Sequence, residues 1–206
     1  MDESSEPERP ALSAAIDKLA ESGWSRRSDL IDPELVDALE AESRDAFDAG
    51  EFRRARVGRG SDRQLRPEVR SDRVRWIDPE VPTAPQAAYL AAMESLRLDL
   101  NRSLQLGLFE FEAHLAIYPP GSFYKRHLDQ TRGTPLRTVT CITYLNRRWQ
   151  PEDGGQLRLY LDAGEHLDLY PVGGTTLLFL ASRFEHEVLP ARRDRASVTG
   201  WFRRRP

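Results

Sequence analysis

His127-Leu128-Asp129, followed far downstream by His186, is the group of residues in this chain best suited to chemistry. In an extended segment, residues i and i+2 project to the same side. One imidazole and one carboxylate therefore reach a common point, where a histidine from another strand can complete a three-ligand face. Two imidazoles and one carboxylate are the ligand set of iron(II) oxygenases that work without haem, because three ligands on one face leave positions for a chelating cosubstrate and for oxygen. A His-x-Asp alone is common, and a single histidine is as easily a surface or core residue. The other two histidines, His114 and His166, are assigned to that structural class.

Arg195 strengthens the pattern. It follows His186 by nine residues, across a turn containing Arg192, Arg193 and Asp194, and opens the run Arg195-Ala196-Ser197-Val198-Thr199-Gly200-Trp201. An antiparallel return would set its permanently charged guanidinium beside the strand of His186, at the depth where a bound dicarboxylate ends. A ligand triad, an arginine and a β-rich C-terminal half occurring together are worth more than any of them singly.

The elements that must position these groups follow from periodicity. Leu12, Ile16 and Leu19 recur at helical spacing before Gly23. Asp32 as N-cap, Pro33 at the first helical position, an apolar face of Leu35, Val36 and Leu39, and Gly50 as stop mark a second helix. A third is expected from about Pro85 to Leu106, burying Leu90, Met93, Leu96, Leu100 and Leu104 and closed by Gly107. From Phe109 the pattern changes to short β-type runs: 109–118, 136–145, 156–161, 166–169, 175–180, 185–189 and 197–202. Turn residues such as Pro119-Pro120-Gly121 and Gly154-Gly155 separate them. Helices first and strands afterwards predict an α+β domain, its sheets a sandwich or jelly roll. Residues 1–10 are expected to be a disordered N-terminus and 11–206 a single domain.

Composition removes whole classes of function. The chain has 206 residues, 39% hydrophobic and 31% charged, with no apolar run long enough for a spanning helix. The acidic opening lacks the layout of a signal peptide, so the expectation is a cytoplasmic protein with no membrane partner. The single cysteine, Cys141, cannot form an intrachain disulfide and reads as a buried inert thiol. A net charge of −3 makes nucleic acid an unlikely ligand. Residues 53–75 nevertheless hold nine arginines against Asp62, Glu68 and Asp72, a basic segment that reads either as a solvated loop or as a surface for an acidic partner.

Over residues 52–202 the sequence resembles the prolyl hydroxylase branch of the 2-oxoglutarate oxygenases, especially the oxygen-sensing prolyl hydroxylases and their bacterial relatives. The resemblance rests on Arg70-Ser71-Asp72-Arg73-Val74-Arg75-Trp76-Ile77, Tyr118-Pro119-Pro120-Gly121, Tyr124-Lys125-Arg126-His127-Leu128-Asp129, Arg137 to Asn146, Gly154-Gly155-Gln156-Leu157-Arg158, and His186-Glu187-Val188 leading to Arg195 and Trp201. It implies a double-stranded β-helix with N-terminal supporting helices. Iron(II) would lie on His127, Asp129 and His186, with 2-oxoglutarate as cosubstrate, O2 as oxidant and ascorbate as stimulant. It further implies that Tyr144 joins Arg195 on the distal carboxylate, that Tyr118 lies near the metal end, and that Thr199 and Trp201 line the same pocket. The segment from Arg56 to Asp72 is similar to a mobile loop that closes over a polypeptide substrate, with Arg70, Asp72 and Arg137 on the substrate side and Asp72 paired to Arg137. The zinc finger and C-terminal helix of the animal enzymes have no counterpart here. Bacterial members act on a prolyl residue of a translation elongation factor, and this compact chain looks more like those. Two rival readings are a hydroxylase of the same chemistry acting on a small molecule or another side chain, and a non-catalytic binding protein of cupin type.

Overall fold

The computed structural model describes residues 10–58, 64–130 and 135–206. Helix α1 (Pro10–Ser22) buries Ala15, Ile16 and Leu19 and stops where Gly23 donates its N–H to the Leu19 carbonyl at 2.8 Å. Helix α2 (Pro33–Asp48) is capped by Asp32, whose carboxylate accepts from the Glu34 N–H at 2.8 Å. Helix α3 (Ala84–Leu104) starts on Thr83 and buries Tyr89, Met93, Leu96 and Leu100. Its closure differs from expectation. The cap is Gln105, which adopts the left-handed conformation (φ 51) and donates to the Asn101 carbonyl at 3.0 Å, while Gly107, also at positive φ (65), lies two residues beyond it. Leu90 and Leu104 are only partly buried, and the aromatic Tyr89 takes the central place on the buried face.

The strands are β1 (Trp24–Arg27), β2 (Arg53–Arg54), β3 (Arg73–Trp76), β4 (Leu108–Tyr118), β5 (Tyr124–His127), β6 (Arg137–Tyr144), β7 (Leu157–Tyr160), β8 (His166–Leu169), β9 (Thr176–Leu180), β10 (His186–Val188) and β11 (Arg195–Arg204). They form a seven-stranded sheet in the order β1-β9-β6-β11-β4-β3-β2 and a four-stranded sheet in the order β5-β10-β7-β8, both antiparallel. This is the double-stranded β-helix, an antiparallel sandwich whose strands alternate between two layers of core.

Period two decides which side each residue serves. On β6, Val139 and Cys141 pack with the helices, whereas Ile142 and Tyr144 join the core between the sheets. On β11, Ala196, Val198 and Phe202 face the helices, and Arg195, Thr199 and Trp201 face the interior of the sandwich. Gly200 admits no side chain, since a Cβ there would lie 2.4 Å from the Phe111 ring.

Strands β1, β2, β3 and β5 were not legible as strands. Each has at most four residues and carries arginine or lysine, and Arg73-Val74-Arg75-Trp76, which does alternate, is too short a run to mark a strand. The basic segment is correspondingly less loop-like than expected. Its ends form β2 and β3, and Val57 and Gln64 exchange backbone hydrogen bonds of 2.9 and 2.8 Å. Residues 69–71 are tied to 123–125 through Lys125 N–H to the Val69 carbonyl (2.9 Å) and Ser71 N–H to the Phe123 carbonyl (3.0 Å). The expectation of a mobile stretch beginning at Gly58 and Gly60 falls in part on residues 59–63, which lie outside the described residues, as do residues 1–9 of the expected disordered N-terminus. Among the described residues no helix is long and apolar enough to cross a membrane.

Candidate active site

A cavity of about 420 Å³ opens between the sheets, walled by β3, β4, β5, β10 and β11. His127 and His186 face each other as a cross-strand pair of β5 and β10, their ring centres 4.2 Å apart. Asp129 lies in the bend just after β5, so the extended path expected through all three residues ends at His127. The carboxylate still converges: Oδ1 is 3.6 Å from His127 Nε2 and Oδ2 is 3.5 Å from His186 Nε2. The ligand atoms of the three residues lie within 4.8 Å of one another.

Each member is oriented from behind. His127 Nδ1 is 2.7 Å from the Lys125 carbonyl and His186 Nδ1 is 3.3 Å from the Phe184 carbonyl. A carbonyl can only accept, so Nδ1 of each ring carries a proton and Nε2 is the atom turned toward the cluster. The Thr140 hydroxyl donates to Asp129 Oδ2 at 2.8 Å in a fully buried setting. Burial pushes the His186 imidazole down to about 4, with His127 reinforcing the shift and Asp129 opposing it, so it is neutral at physiological pH. Burial alone would raise the Asp129 carboxyl. Attraction to His186, the hydrogen bond and charge of His127, and the Trp201 indole outweigh it and hold the group below the usual carboxylate range. With His186 neutral its share of that attraction shrinks, yet the direction stands, because the donors around the carboxylate still favour the anion. A neutral His186 and an ionised Asp129 are the states that a divalent metal requires of these two ligands.

The inner end of the cavity is built for an anion. Arg195 is buried, and its guanidinium carbon lies 5.0 Å from the ring centres of both Tyr118 and Tyr144. Arg195 Nε donates to the Gly155 carbonyl at 2.9 Å. Its Nη2 and the Tyr144 hydroxyl are buried with no protein hydrogen-bond partner. Two donors left open beside a cation cost about 1–3 kcal/mol each unless a ligand satisfies them, and a carboxylate would satisfy both. The residues therefore fit a metal chelated by a dicarboxylic keto acid whose far carboxylate reaches Arg195.

Several placements differ from the sequence reading. β11 does not return beside the strand of His186: β10 and β11 belong to different sheets, and Arg195 approaches the histidine across the sandwich. Tyr118, expected near the metal end, sits against the guanidinium as Tyr144 does. Thr199 and Trp201 line the cavity. The expected Asp72–Arg137 pair is absent. Asp72 instead takes a two-pronged bond from Arg70, at 2.8 and 2.6 Å, while Arg137 Nε donates to Glu112 at 2.9 Å and its guanidinium lies 3.4 Å from the Trp201 ring centre. Asp72 has no exposed side-chain surface and Arg70 is its chain neighbour, whereas Arg137 has a carboxylate nearby on β4. His114, assigned to the structural class, is buried but lines the cavity against Trp76 and Trp201. His166 is exposed on β8.

Thr140 and Tyr124 escaped the sequence reading as site residues. Thr140 could have been found from Tyr144, which lies four residues along the same strand and therefore on the same face. Nothing in the sequence marked Tyr124, whose ring stacks on His127 at 3.5 Å.

Jelly rolls that gather these groups between their sheets form the class of non-haem iron oxygenases that use 2-oxoglutarate. Residues 113–203 match the 2OG-Fe(II) oxygenase superfamily. A prolyl-4-hydroxylase of Pseudomonas putida, known from its crystal structure, is 46% identical and superposes with a TM-score of 0.86, over 95% of this chain and 100% of that one. Human Egl nine homolog 1 is 30% identical over 94% of this chain, which spans only 47% of that relative's length. The prolyl hydroxylase of Trichoplax adhaerens, solved with a hypoxia inducible factor peptide, shares the fold at a TM-score of 0.82 and 24% identity, over 93% of this chain and 88% of that one. The chain belongs to the 2OG-Fe(II) oxygenase superfamily and is prolyl-hydroxylase-like within it.

Proposed function

We propose that this chain is an iron(II)- and 2-oxoglutarate-dependent protein prolyl 4-hydroxylase. His127, Asp129 and His186 would hold the metal, Arg195 and Tyr144 the distal carboxylate of 2-oxoglutarate, and Tyr118, Thr199 and Trp201 the walls around it. The observation that carries this reading is the pair of open donors, Arg195 Nη2 and Tyr144 OH, at the inner end of a cavity that also holds the His-Asp-His cluster. Cupin-type metal binding alone gives no reason for a buried cation there.

Iron(II) with 2-oxoglutarate and O2 supplies the oxidation, in which the keto acid loses carbon dioxide to become succinate and one oxygen atom enters a C–H bond of the substrate. The chain supplies position and exclusion. Thr140 and the two backbone carbonyls fix the ligand side chains, and Ile142, Leu157 and Val188 give the cavity apolar walls that keep water from the reacting carbon. Arg195 selects a cosubstrate with a second carboxylate, and the half-exposed Trp76 at the mouth leaves room for a polypeptide. A protein substrate agrees with the peptide bound to the Trichoplax relative and with the 46% identity to the Pseudomonas enzyme. A translation elongation factor, the substrate that the bacterial resemblance implies, is the first candidate. The single buried thiol and a ferrous site suit a reducing cytoplasm.

The test is to incubate a cell extract with the protein, iron(II), ascorbate and 2-oxoglutarate, and to search it by mass spectrometry for proline residues that gain one oxygen. Elongation factor gaining that oxygen supports the full reading, and a different protein replaces the candidate substrate. Succinate formation with no protein modified favours the small-molecule hydroxylase.

A further inference from the structure

The three candidate ligands are not equally secured. Asp129 and His186 are buried, with side chains 7% and 4% exposed, whereas His127 is 16% exposed and is the last residue of β5. β5 has four residues and, within its sheet, pairs with β10 on one side, its other side meeting residues 69–71 through a bridge between Tyr124 and Arg70. The bond from Nδ1 to the Lys125 carbonyl anchors one point of the imidazole and leaves its plane free to rock.

The plane is fixed by a stack that starts at the other end of β5 and is completed by Arg70 from the basic segment. The Tyr124 ring lies 3.5 Å from the imidazole at 15°, and the Arg70 guanidinium carbon lies 4.1 Å from the Tyr124 ring centre. Arg70 is held in turn by its two bonds to Asp72, at 2.8 and 2.6 Å, within a segment laced to β5 through Lys125 N–H, Ser71 N–H and the bond of 3.1 Å from Phe123 N–H to the Ser71 hydroxyl. The Arg70 side chain is 14% exposed, and its Nε and Nη2 are both committed to Asp72. Arg70 also lines the cavity, the side on which the sequence reading placed it.

We infer that Arg70 is a positioning residue for His127, acting through Tyr124 as a guanidinium–phenol–imidazole stack that sets the plane of the exposed ligand. The inference rests on the reading of His127, Asp129 and His186 as metal ligands. A planar cation suits the place because it covers the phenol face while its edge is bound to a carboxylate, which a lysine ammonium cannot do. The stack also makes the end of the basic segment part of the support of a metal ligand, so displacement of residues 69–72 would be felt at the metal.

The test compares binding of Mn(II), followed by electron paramagnetic resonance, and the visible absorption band formed anaerobically with iron(II) and 2-oxoglutarate. Tyr124→Leu removes the stack while leaving the Arg70–Asp72 pair intact, and Arg70→Lys keeps the charge without the plane. Both are expected to weaken Mn(II) binding by about 10–100-fold, the usual effect of losing a group that orients a ligand, and to shift the band. Tyr124→Phe should restore the parent affinity and band, and Arg54→Gln, on exposed β2, should change neither. Parent-like Mn(II) binding and an unshifted band in Tyr124→Leu and Arg70→Lys would overturn the inference alone. If the parent fails to bind Mn(II), or His127→Ala binds it equally well, the ligand assignment falls and the inference falls with it.

Discussion

Arg195 spends its Nε on the carbonyl of Gly155, 2.9 Å away, and keeps Nη2 for the cavity. Gly155 has φ +70, and a Cβ there would meet Ala191 at 2.9 Å and the Arg195 Cδ at 3.3 Å, so the turn both accepts from the arginine and leaves room for it. The guanidinium is thus aimed before any ligand arrives. Losing two charge-assisted hydrogen bonds, each worth about 1.5–3 kcal/mol, should weaken 2-oxoglutarate binding by about two to four orders of magnitude. Arg195→Ala is expected to show this in calorimetric titration while Mn(II) affinity survives; unchanged 2-oxoglutarate affinity would move the carboxylate elsewhere.

Thr140 offers a narrower test. Its hydroxyl donates to Asp129 from a β-branched side chain with little rotational freedom on a strand paired on both sides. Thr140→Val keeps the volume and removes the donor, and metal affinity should fall by about 10–100-fold, with Thr140→Ser close to the parent. Equal Mn(II) affinity in the valine variant would show that other contacts suffice to place the carboxylate.

Asn146 fixes the start of β11. Its side chain accepts from the Ala196 N–H at 2.6 Å and donates to the carbonyls of Ala196 and Pro171 at 3.0 and 2.8 Å, all buried next to Arg195. Asn146→Ala leaves the Ala196 N–H and the Pro171 carbonyl without these partners, although the Ala196 carbonyl keeps the Leu145 N–H at 3.1 Å, and should cost about 2–4 kcal/mol in chemical denaturation. Because Arg195 is the neighbouring residue, 2-oxoglutarate affinity should fall in the same variant. A loss of less than about 0.5 kcal/mol, the scale of an ordinary surface change, would show that the network is dispensable.

Alkaline pH should destabilise the protein. Burial pushes the Cys141 thiol up to about 12 from 9.0, and it likewise raises the Tyr89 and Tyr118 phenols. Above about pH 9 the unfolded chain releases these protons first, so the folded state binds more of them and stability declines as pH rises through the window up to the folded values. Below pH 9 the contribution is fully present. The denaturation midpoint should therefore fall between pH 8.5 and 10.5, and a flat profile would contradict the burial of these groups. At pH 8 the native thiol should resist iodoacetamide.

Much of the fold was legible because its periodicities are strong. The three helices carry clear apolar faces and caps, and the seven longer apolar runs became strands within a few residues of their expected bounds. The short basic strands were invisible, since β2 is defined by backbone pairing to β3, and β3 by pairing to β4, over two to four residues. The His-Asp-His cluster could be anticipated from residue types, but the route could not. Whether Arg195 reaches the cluster within one sheet or across the sandwich is a matter of topology, which local spacing does not encode. Arg137 shows the same limit: the resemblance paired it with Asp72, and the fold brings it to Glu112 of β4 instead.

The alternation along β11 has a practical consequence for anyone who wishes to redesign this chain. Positions 195, 199 and 201 line the cavity, and positions 196, 198 and 202 lock into the helical layer, with 200 barred to any side chain. Two interleaved sets of residues therefore answer to separate selective pressures on a single strand. A combinatorial library randomised at 199 and 201, with the even positions held, should alter cosubstrate binding while most members still fold. The complementary library should yield mostly insoluble protein.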